Sequence, residues 1–383
     1  MVTLDKIIGQ TKALQTIDKI IIQEKRGQAL MLTGPPGIGK YALANYAAAR
    51  FLCTENYSGC GKCFSCRSLT NGNHPDFLLV FPFPNLASES KKNPLFHFSD
   101  PMTSDARFSD STVEEYGRFL TEKAEDPYRI ISYKKKGNIP VSVVKDMIRA
   151  TSKRPMLGGR RAIVVCDIDQ MAYGAADLFL KTVEEPPDDS LIILTSSHPH
   201  ALLPTLLSRT IRIALTPIND DLVRKYLESR GLDGELEFFI RYGAGSPGLA
   251  YKAYEDDSIV RRDEIWQMIS GYLGGANLPR IIENLRFKYQ WANFDDVRQD
   301  FAIMEKILRD LYIVKMGLDN RLINIDIKAK LNECARAAPL PEVLRQWFKI
   351  LAKASRVHRI NNVAADIAFV GAFIEFDRAR AQG

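Results

Sequence analysis

The sequence lacks several features that would assign it to a specialised class of protein. Its 383 residues include only 5 histidines and 3 tryptophans, and the formal net charge is just +6. That charge permits weak attraction to phosphate backbones, but it is too small to indicate nucleic-acid binding by itself. The histidines have no metal-ligand spacing, so we assign them no role.

Long apolar runs and a secretory signal are also lacking. The longest apolar stretches, such as residues 367–374, fall far short of the roughly 20 residues that a membrane-spanning helix needs. The first residues do not show a basic segment followed by an apolar one. We therefore expect a cytoplasmic protein with no membrane partner, in which cysteines are free thiols or metal ligands rather than disulfides.

The length and the pattern of apolar residues predict an α/β domain followed by helices. A chain of 383 residues exceeds what one hydrophobic core usually supports, so two or three domains are expected. Short β-branched runs alternate with helical patterns, which predicts a parallel sheet covered on both faces. The five predicted strands are residues 29–32, 77–80, 162–166, 191–194 and 211–215. After Pro217 the strands stop, and helical patterns separated by Gly and Pro follow.

Residues 83–136 interrupt the α/β pattern. They are rich in Ser, Asp, Pro and Lys and show no sustained periodicity, so they predict an insertion or a long surface loop. The run Lys134, Lys135 and Lys136 closes this segment. A solvated loop is the interpretation that we favour for this run, and a phosphate contact is the alternative.

An apolar stripe marks the helical part of the chain. Apolar side chains between residues 297 and 314 recur at spacings of three and four, which indicates one buried helix face. We expect this face to pack in the core of its own domain. Packing against another subunit is the alternative that remains.

A glycine-rich loop follows the first predicted strand and leads into a helical pattern over residues 41–51. In such loops main-chain N–H groups converge on phosphate oxygens, the helix N-terminus adds partial positive charge, and a lysine reaches the β- and γ-phosphates. The order of strand, loop and helix favours a nucleotide site over a chance glycine turn. The predicted nucleotide-binding residues are Gly34, Pro35, Pro36, Gly37, Ile38, Gly39, Lys40, Tyr41 and Asp167.

Two positions of this predicted site lack groups that hydrolysis requires. Tyr41 stands where a short Ser or Thr hydroxyl would ligate Mg²⁺, and its phenol oxygen lies at the far end of a rigid ring. Asp167 can hold the metal shell, although a strand-end cap is the alternative. Ile168 replaces the acid that activates water, and Asp169 would have to act from the opposite side of an extended backbone or through a shifted register. We therefore predict a site for ATP or ADP with weak or absent hydrolysis and an incomplete Mg²⁺ site.

Four of the six cysteines cluster with the spacing C-x₆-C-x₂-C-x₂-C. These are Cys53, Cys60, Cys63 and Cys66. Thiolates on tight turns can close a tetrahedron around Zn²⁺. The bacterial iron–sulfur run C-x₂-C-x₂-C-x₃-C would place a further Cys after Cys66, near the position of Thr70, so we favour a structural zinc over an iron–sulfur cluster or reduced free thiols. Cys166 and Cys334 are expected to be core residues.

These features together resemble the clamp-loader branch of the AAA+ ATPases, specifically the delta-prime subunits of bacterial DNA polymerase III, with gamma/tau as a close relative. The resemblance covers about residues 4–250. It rests on residues 7–10 (IIGQ), the phosphate loop, the four cysteines behind its helix, and residues 74–76 (HPD). The most specific part is residues 180–187 (LKTVEEPP), which are similar to the family sequence LKTLEEPP.

The resemblance implies a role for Arg209. Ser208, Arg209 and Thr210 are similar to the family's Ser-Arg-Cys motif, although Thr210 replaces Cys. The family's arginine projects into the nucleotide site of a neighbouring subunit, where it would act as a catalytic arginine finger. A surface arginine at a helix end is the alternative. Gly248 stands where motor subunits carry an Arg in the sensor-2 helix, so that phosphate contact is also expected to be missing.

The resemblance also implies an architecture. An AAA+ P-loop domain with a five-stranded parallel sheet would occupy residues 1–216, with an inserted Cys₄ zinc module at 53–66 and the long insertion at about 83–136. A helical lid would follow at 217–264. An all-α collar at 265–383 would hold the oligomer together.

The function implied is that of a non-motor subunit in a hetero-pentamer with gamma/tau and delta subunits. Such a complex loads the sliding clamp onto primed DNA. The alternative is an active gamma/tau-type ATPase, which would require Tyr41 and Asp169 to be tolerated replacements. A P-loop small-molecule kinase would need an acceptor site and an Arg-rich lid, and the sequence shows neither.

Overall fold

The computed structural model describes residues 7–23, 27–83, 110–131, 137–157, 159–172, 174–234, 236–290, 292, 294–361 and 363–382. The chain forms two compact units. The first unit runs to Arg230 and also includes Ala244–Leu249, and the second comprises Gly231–Gly243 and the chain from Ala250 onward.

Five strands form one parallel sheet in the first unit. They are β1 (Gln28–Thr33), β2 (Phe77–Val80), β3 (Arg161–Val165), β4 (Ser190–Ser196) and β5 (Ile211–Ala214). The strand order is β2-β3-β4-β1-β5, and every residue of β1, β3 and β4 is buried. Burial of both sheet faces explains why these strands consist of nearly continuous apolar residues. The five predicted strands are confirmed, and their carboxyl ends share one edge of the sheet.

The first unit also contains α-helices. They are α1 (Thr11–Gln23), α2 (Lys40–Leu52), α3 (Phe64–Thr70), α4 (Asp110–Glu125), α5 (Val141–Thr151), α6 (Ala175–Glu184), α7 (Pro204–Ser208) and α8 (Asp220–Ser229). Short 3₁₀ helices lie at Ile168–Gln170 and Pro199–Ala201. Helix α2 packs against β3 and β4, so the loop before it lies at the carboxyl edge of the sheet.

Helix α4 lies within residues 83–136, which the sequence predicts as an insertion or a long surface loop, and it shows that this segment is not entirely loop. Its Tyr116 and Phe119 are buried. The ring of Tyr116 stacks on Phe83 at a centroid distance of 4.5 Å, and that of Phe119 meets the edge of Phe81 at 4.6 Å. The helix is therefore part of the core beside the carboxyl end of β2. The lysine run at 134–136 lies outside the described residues.

The remaining elements are helical, as predicted. They are α9 (Glu237–Gly243), α10 (Pro247–Glu255), α11 (Ser258–Leu273), α12 (Leu278–Tyr289), α13 (Phe294–Lys315), α14 (Lys328–Ala337), α15 (Pro341–Asn361) and α16 (Ala365–Gln382), with 3₁₀ helices at Asp319–Arg321 and Ile325–Ile327. No strand occurs in the part of this region that the structure describes. Within the same limits, none of the helices has the length and apolar character needed to cross a membrane.

The apolar stripe of α13 belongs to the core of the second unit. Its members Val297, Phe301, Met304, Leu308 and Leu311 are at most 3% exposed. The ring of Phe301 stacks on another core aromatic, Phe369 of α16, at a centroid distance of 3.9 Å. The prediction of core packing is therefore confirmed, and this face is not a subunit interface.

Candidate nucleotide and metal sites

The phosphate loop joins the carboxyl end of β1 to the start of α2, as predicted. Gly37 and Gly39 have φ angles of 70° and 108°, which only glycine adopts without strain. Because α2 begins at Lys40, the N–H groups of its first turn have no partner inside the helix. These N–H groups and the positive end of the helix dipole form a cradle suited to a phosphate group.

The ammonium of Lys40 is engaged by groups of the protein. Its Nζ donates to the carbonyl oxygens of Gly34 and Pro35 at 2.9 and 3.0 Å and to Oγ of Ser197 at 2.8 Å. The side chain is buried, which lowers the pKa of Lys40, and Asp167 opposes this shift. A phosphate would have to replace these contacts in order to bind this lysine.

The side chain of Tyr41 does not supply a metal ligand. Its ring lies against Phe81, with centroids 5.2 Å apart, and burial raises the pKa of the phenol. The ammonium of Lys123, from α4, lies 5.6 Å from the centroid of the Tyr41 ring. An aromatic wall and a cation therefore stand where a short hydroxyl would hold Mg²⁺, so the residues present do not fit a complete magnesium site.

The acids after β3 differ from each other in their surroundings. Burial raises the pKa of Asp167, and the nearby Lys40 opposes the shift. The backbone that follows is a short 3₁₀ helix and not an extended segment. It directs Asp169 towards the loop after β4, where the carboxylate accepts bonds from Ser196 Oγ at 2.7 Å and from the main-chain N–H of Ser197 at 3.3 Å.

A third contact completes the environment of Asp169. Its Oδ2 lies 3.1 Å from Nδ1 of His198, a histidine to which the sequence analysis assigns no role. The carboxylate thus holds the β4 loop in place. Ile168 is buried and has no polar side-chain group. Neither residue is arranged to activate a water molecule for attack on a phosphate.

Gly248 makes a direct main-chain contact with the phosphate loop. Its N–H donates to the carbonyl oxygen of Gly37 at 3.1 Å. A Cβ atom placed on Gly248 would lie 2.7 Å from Cα of Gly37 and would overlap the carbonyl oxygen of Tyr128. An arginine at this position would therefore require a backbone shift.

An open cavity of about 670 Å³ lies beside the loop. Its lining includes Thr33, Pro35, Ser197, His198 and Leu215. These residues follow or end β1, β4 and β5, so the cavity lies at the edge of the sheet where ligands of such folds bind.

Arg209 lies at the C-terminal end of α7 with its side chain 38% exposed. Its Nε is 2.6 Å from Oε1 of Glu184, and its Nη1 donates to the carbonyl oxygen of Thr205 at 3.1 Å. Glu184 belongs to the LKTVEEPP segment, and sequence reasoning missed this contact because the two residues lie on different helices. These two contacts restrict the guanidinium group while its side chain stays accessible to solvent.

The four clustered cysteines converge as predicted. Their sulfur atoms all lie within 4.8 Å of one another, and those of Cys53 and Cys63 are 4.0 Å apart. Sulfur ligands of a tetrahedral zinc ion, each about 2.3 Å from the metal, lie roughly 3.8 Å apart. The four cysteines can therefore hold a metal ion.

Main-chain N–H groups point at the sulfur atoms of this cluster. Cys63 donates its N–H to Sγ of Cys60 at 3.3 Å, and Cys66 donates to Sγ of Cys63 at 3.4 Å. Burial acts to raise the pKa of Cys63, but hydrogen bonds from Thr54 and Cys66 outweigh it and lower that pKa to about 6. Such bonds favour the thiolate form that binds metals.

Contacts outside the cluster attach it to the α/β core. Nη2 of Arg160 donates to the carbonyl oxygen of Cys53 at 2.9 Å, and its guanidinium lies 4.3 Å from the centroid of the Tyr57 ring. On the other side, Ser65 Oγ and His74 Nε2 are 2.8 Å apart. The histidine of the HPD sequence therefore supports the cysteine segment and is not one of its ligands.

Comparison with known protein families identifies a match that covers more than half of the chain. The family model described as "DNA polymerase III, delta subunit" matches residues 9–219. This range contains the whole parallel sheet, the phosphate loop, the four cysteines and Arg209.

Individual proteins that are similar to this chain at low sequence identity are also subunits of DNA polymerase III. The chain is 28% identical over 236 residues to the DNA polymerase III subunit delta' of Pseudomonas aeruginosa, which covers 60% of this chain and 56% of that protein. The chain thus matches little more than half the length of this relative. The subunit delta' of Bacillus subtilis is 21% identical, with 92% of each chain covered. The subunit tau of B. subtilis is 22% identical, covering 94% of this chain and 58% of tau.

Proposed function

This chain belongs to the DNA polymerase III delta subunit family, and we propose that it is a delta-prime-type, non-motor subunit of a clamp loader. In this proposal it assembles with gamma/tau and delta subunits in a hetero-pentamer of AAA+ proteins that loads the sliding clamp onto primed DNA. Several relatives named delta' and one named tau support this assignment.

The observation that carries the proposal is the surroundings of Tyr41. An aromatic wall and the ammonium of Lys123 take the position of the hydroxyl that would ligate Mg²⁺. Asp169 is bonded to the loop after β4, and Gly248 leaves no space for a basic side chain. Since metal ligation and water activation both contribute to phosphoryl transfer, a site that lacks both is not expected to turn over ATP.

We assign Arg209 the role of an arginine finger that acts in a neighbouring ATPase site. Its position at a helix end, its exposure and the restraint from Glu184 all support this role. A guanidinium that is held in one orientation loses less entropy when it meets a γ-phosphate. The ATPase site of the neighbouring subunit would thus gain the positive charge that its transition state requires.

We assign a zinc ion to Cys53, Cys60, Cys63 and Cys66. The clustering of four thiols and the N–H groups directed at their sulfur atoms support this assignment. With four protein ligands the ion would have no open position for substrate, so its role would be to fold the segment at 53–66.

We propose that the three parts inferred from the sequence correspond to functional domains. Residues 1–216 form the AAA+ domain, 217–264 the lid, and 265–383 the collar that joins the subunits. The wholly helical elements of the described chain after Ala214 are compatible with this division. Contacts with the clamp and with primed DNA would be made by the assembled complex.

Assembly with the other subunits tests this function. Mixed with gamma/tau and delta of the same organism, the chain is expected to elute in one complex, with one copy for each delta, as measured by size-exclusion chromatography with light scattering. A chain lacking residues 265–383 is expected to be excluded from the complex. If the full-length chain elutes alone at concentrations of about 10 μM, well above the dissociation constant of a stable assembly, the proposed function is wrong.

An active motor of the gamma/tau type is the second candidate. The match to tau over 94% of this chain favours it. It predicts ATP hydrolysis by the isolated chain, which the surroundings of Tyr41 and Asp169 argue against.

A further inference from the structure

The formal net charge of the chain is concentrated in two consecutive helices of the second unit. Helices α14 and α15 contain eight Lys or Arg residues and two Asp or Glu residues, whereas the remaining chain contains 44 of each kind. The whole formal charge of +6 therefore comes from this short segment. A strongly basic region in an otherwise balanced chain is typical of a surface that binds a polyanion.

Four of these basic residues form one row on α15. Arg345, Lys349, Lys353 and Arg356 follow one another at spacings of four, four and three residues, which places them on one face of the helix. All four side chains are exposed. At about 1.5 Å per residue the row is about 17 Å long. We call this surface the basic face of α15.

Contacts with neighbouring helices orient two of the four side chains. Nζ of Lys353 lies 3.3 Å from Oε1 of Glu375 on α16, and 68% of the Lys353 side chain remains exposed. The guanidinium of Arg345 donates to the hydroxyl of Tyr312 on α13, from Nε at 3.1 Å and from Nη2 at 2.7 Å. The hydroxyl orients this group without neutralising its charge.

The other two basic side chains, Lys349 and Arg356, form no ion pair with any residue that the structure describes. Like charges four residues apart repel each other and destabilise a helix. A helix face that serves only as a solvated surface usually carries charges of both signs at this spacing. On the basic face of α15 the only acid is Glu342, at its N-terminal end. The row is therefore better explained by an anion that binds to it.

We propose that the basic face of α15 binds the phosphate backbone of double-stranded DNA. Over about 17 Å, one strand of a B-form duplex presents about five phosphates, which a straight row of four cations can follow. A protein partner fits this face less well, because lysine is depleted in protein interfaces. A single strand also fits less well, because it stacks its bases on aromatic side chains and the exposed positions described on α15 include none.

This inference goes beyond the proposed function and does not depend on it. The basic face lies on a helix that carries neither the phosphate loop, the four clustered cysteines nor Arg209. Its contacts would be made to phosphates alone. Binding would therefore be independent of base sequence and would weaken steeply as the salt concentration rises.

Fluorescence anisotropy of a labelled duplex of about 20 base pairs, titrated with the full-length chain, tests the proposal. We expect a Kd below about 100 μM at about 50 mM NaCl, and two duplexes of unrelated sequence should bind within about twofold of each other. Lys349→Ala/Arg356→Ala should bind at least about tenfold more weakly. It should also reduce the slope of log K against log salt by about 2, roughly 0.9 for each phosphate contact that is lost. A weaker Kd for the wild-type chain, or an unchanged slope in this double variant, would overturn the proposal.

A matched control removes the same amount of charge from another surface. Lys12 and Lys19 are exposed and lie seven residues apart on α1, the same spacing as Lys349 and Arg356 on α15. Lys12→Ala/Lys19→Ala should leave the Kd within about twofold of the wild-type value. Equal weakening in both double variants would show a general effect of net charge and would refute the basic face as a site. Tighter binding of a single strand of the same length would refute the assignment to duplex DNA.

Assembly distinguishes DNA from a protein occupant. The Lys349→Ala/Arg356→Ala chain is expected to enter the complex with gamma/tau and delta as the wild-type chain does, as measured by size-exclusion chromatography. If only the wild-type chain enters, the basic face is a subunit contact and this proposal is wrong. If neither chain enters, the proposed function fails, whereas the DNA titration still decides this inference.

Discussion

Replacing Arg209 with alanine is expected to slow ATP hydrolysis at the neighbouring site of the reconstituted complex by about a thousandfold, while this chain stays folded. The guanidinium would lose its contact with the charge that grows on the transferred phosphoryl group. Because Arg209 is 38% exposed, its removal should change Tm of the isolated chain by less than about 2 °C. Single-turnover hydrolysis by a complex in which only this neighbouring site is active provides the measurement.

Two further variants distinguish a specific arginine-finger role of Arg209 from a nonspecific effect of positive charge. Arg209→Lys keeps the positive charge but loses the planar group with its several donors, so most of the loss should remain. Arg212→Ala removes an exposed arginine of β5, three residues along the chain, and should leave the rate within about twofold of the wild type. If Arg209→Ala leaves the rate of ATP hydrolysis unchanged, Arg209 does not act as an arginine finger.

Replacing one cysteine of the cluster is expected to abolish zinc binding and to destabilise the protein. Wild-type protein should contain about one zinc per chain, and Cys66→Ser less than about half an equivalent. The free energy of unfolding should fall by at least about 3 kcal/mol, a fraction of the roughly 10–16 kcal/mol that structural zinc provides in zinc-finger peptides. Elemental analysis and urea unfolding give the two quantities.

Cys334→Ser is the matched control for this measurement. Cys334 is a partly buried cysteine of α14 and lies outside the cluster. The control should retain the full zinc content. Wild-type protein that is purified without chelators and contains less than about half an equivalent of zinc would contradict the metal assignment.

The parts of the fold that depend on local patterns could be predicted from the sequence. Strands β1, β3 and β4 are buried on both faces, so their apolar runs stand out against the surrounding helices. The stripe of α13 follows the helical period and faces the core of its own unit. In both cases one short segment of sequence is sufficient to predict the element and its buried face.

Helix α4 was missed for a physical reason. It is a mostly polar helix whose buried contacts come from few side chains, chiefly Tyr116 and Phe119, and Gly117 lies between them. The serine- and proline-rich sequence before it favours loops. The burial of one helix face against Phe81 and Phe83 overrides these local preferences.

The candidate site was predictable in its composition but not in its contacts. Lys40, Tyr41 and Asp167 were identified because the order of strand, loop and helix is a local signal. The partners that decide what the site can do come from distant segments: Ser197 bonds Lys40 across 157 residues, and Tyr128 bonds Ile8 across 120 residues. The hydrogen bonds of Asp169 depend on a 3₁₀ turn that the sequence alone did not indicate.

Steady-state ATP hydrolysis by the purified chain, with and without primed DNA, tests the central claim most directly. The phosphate loop of this protein keeps the shape of a nucleotide site but lacks the metal-ligating hydroxyl and the acid that activates water. We predict a rate that cannot be distinguished from that of a Lys40→Ala control, with no stimulation by primed DNA. A rate of about 1 s⁻¹ or more that rises with primed DNA and is lost in Lys40→Ala would show that the chain is a motor.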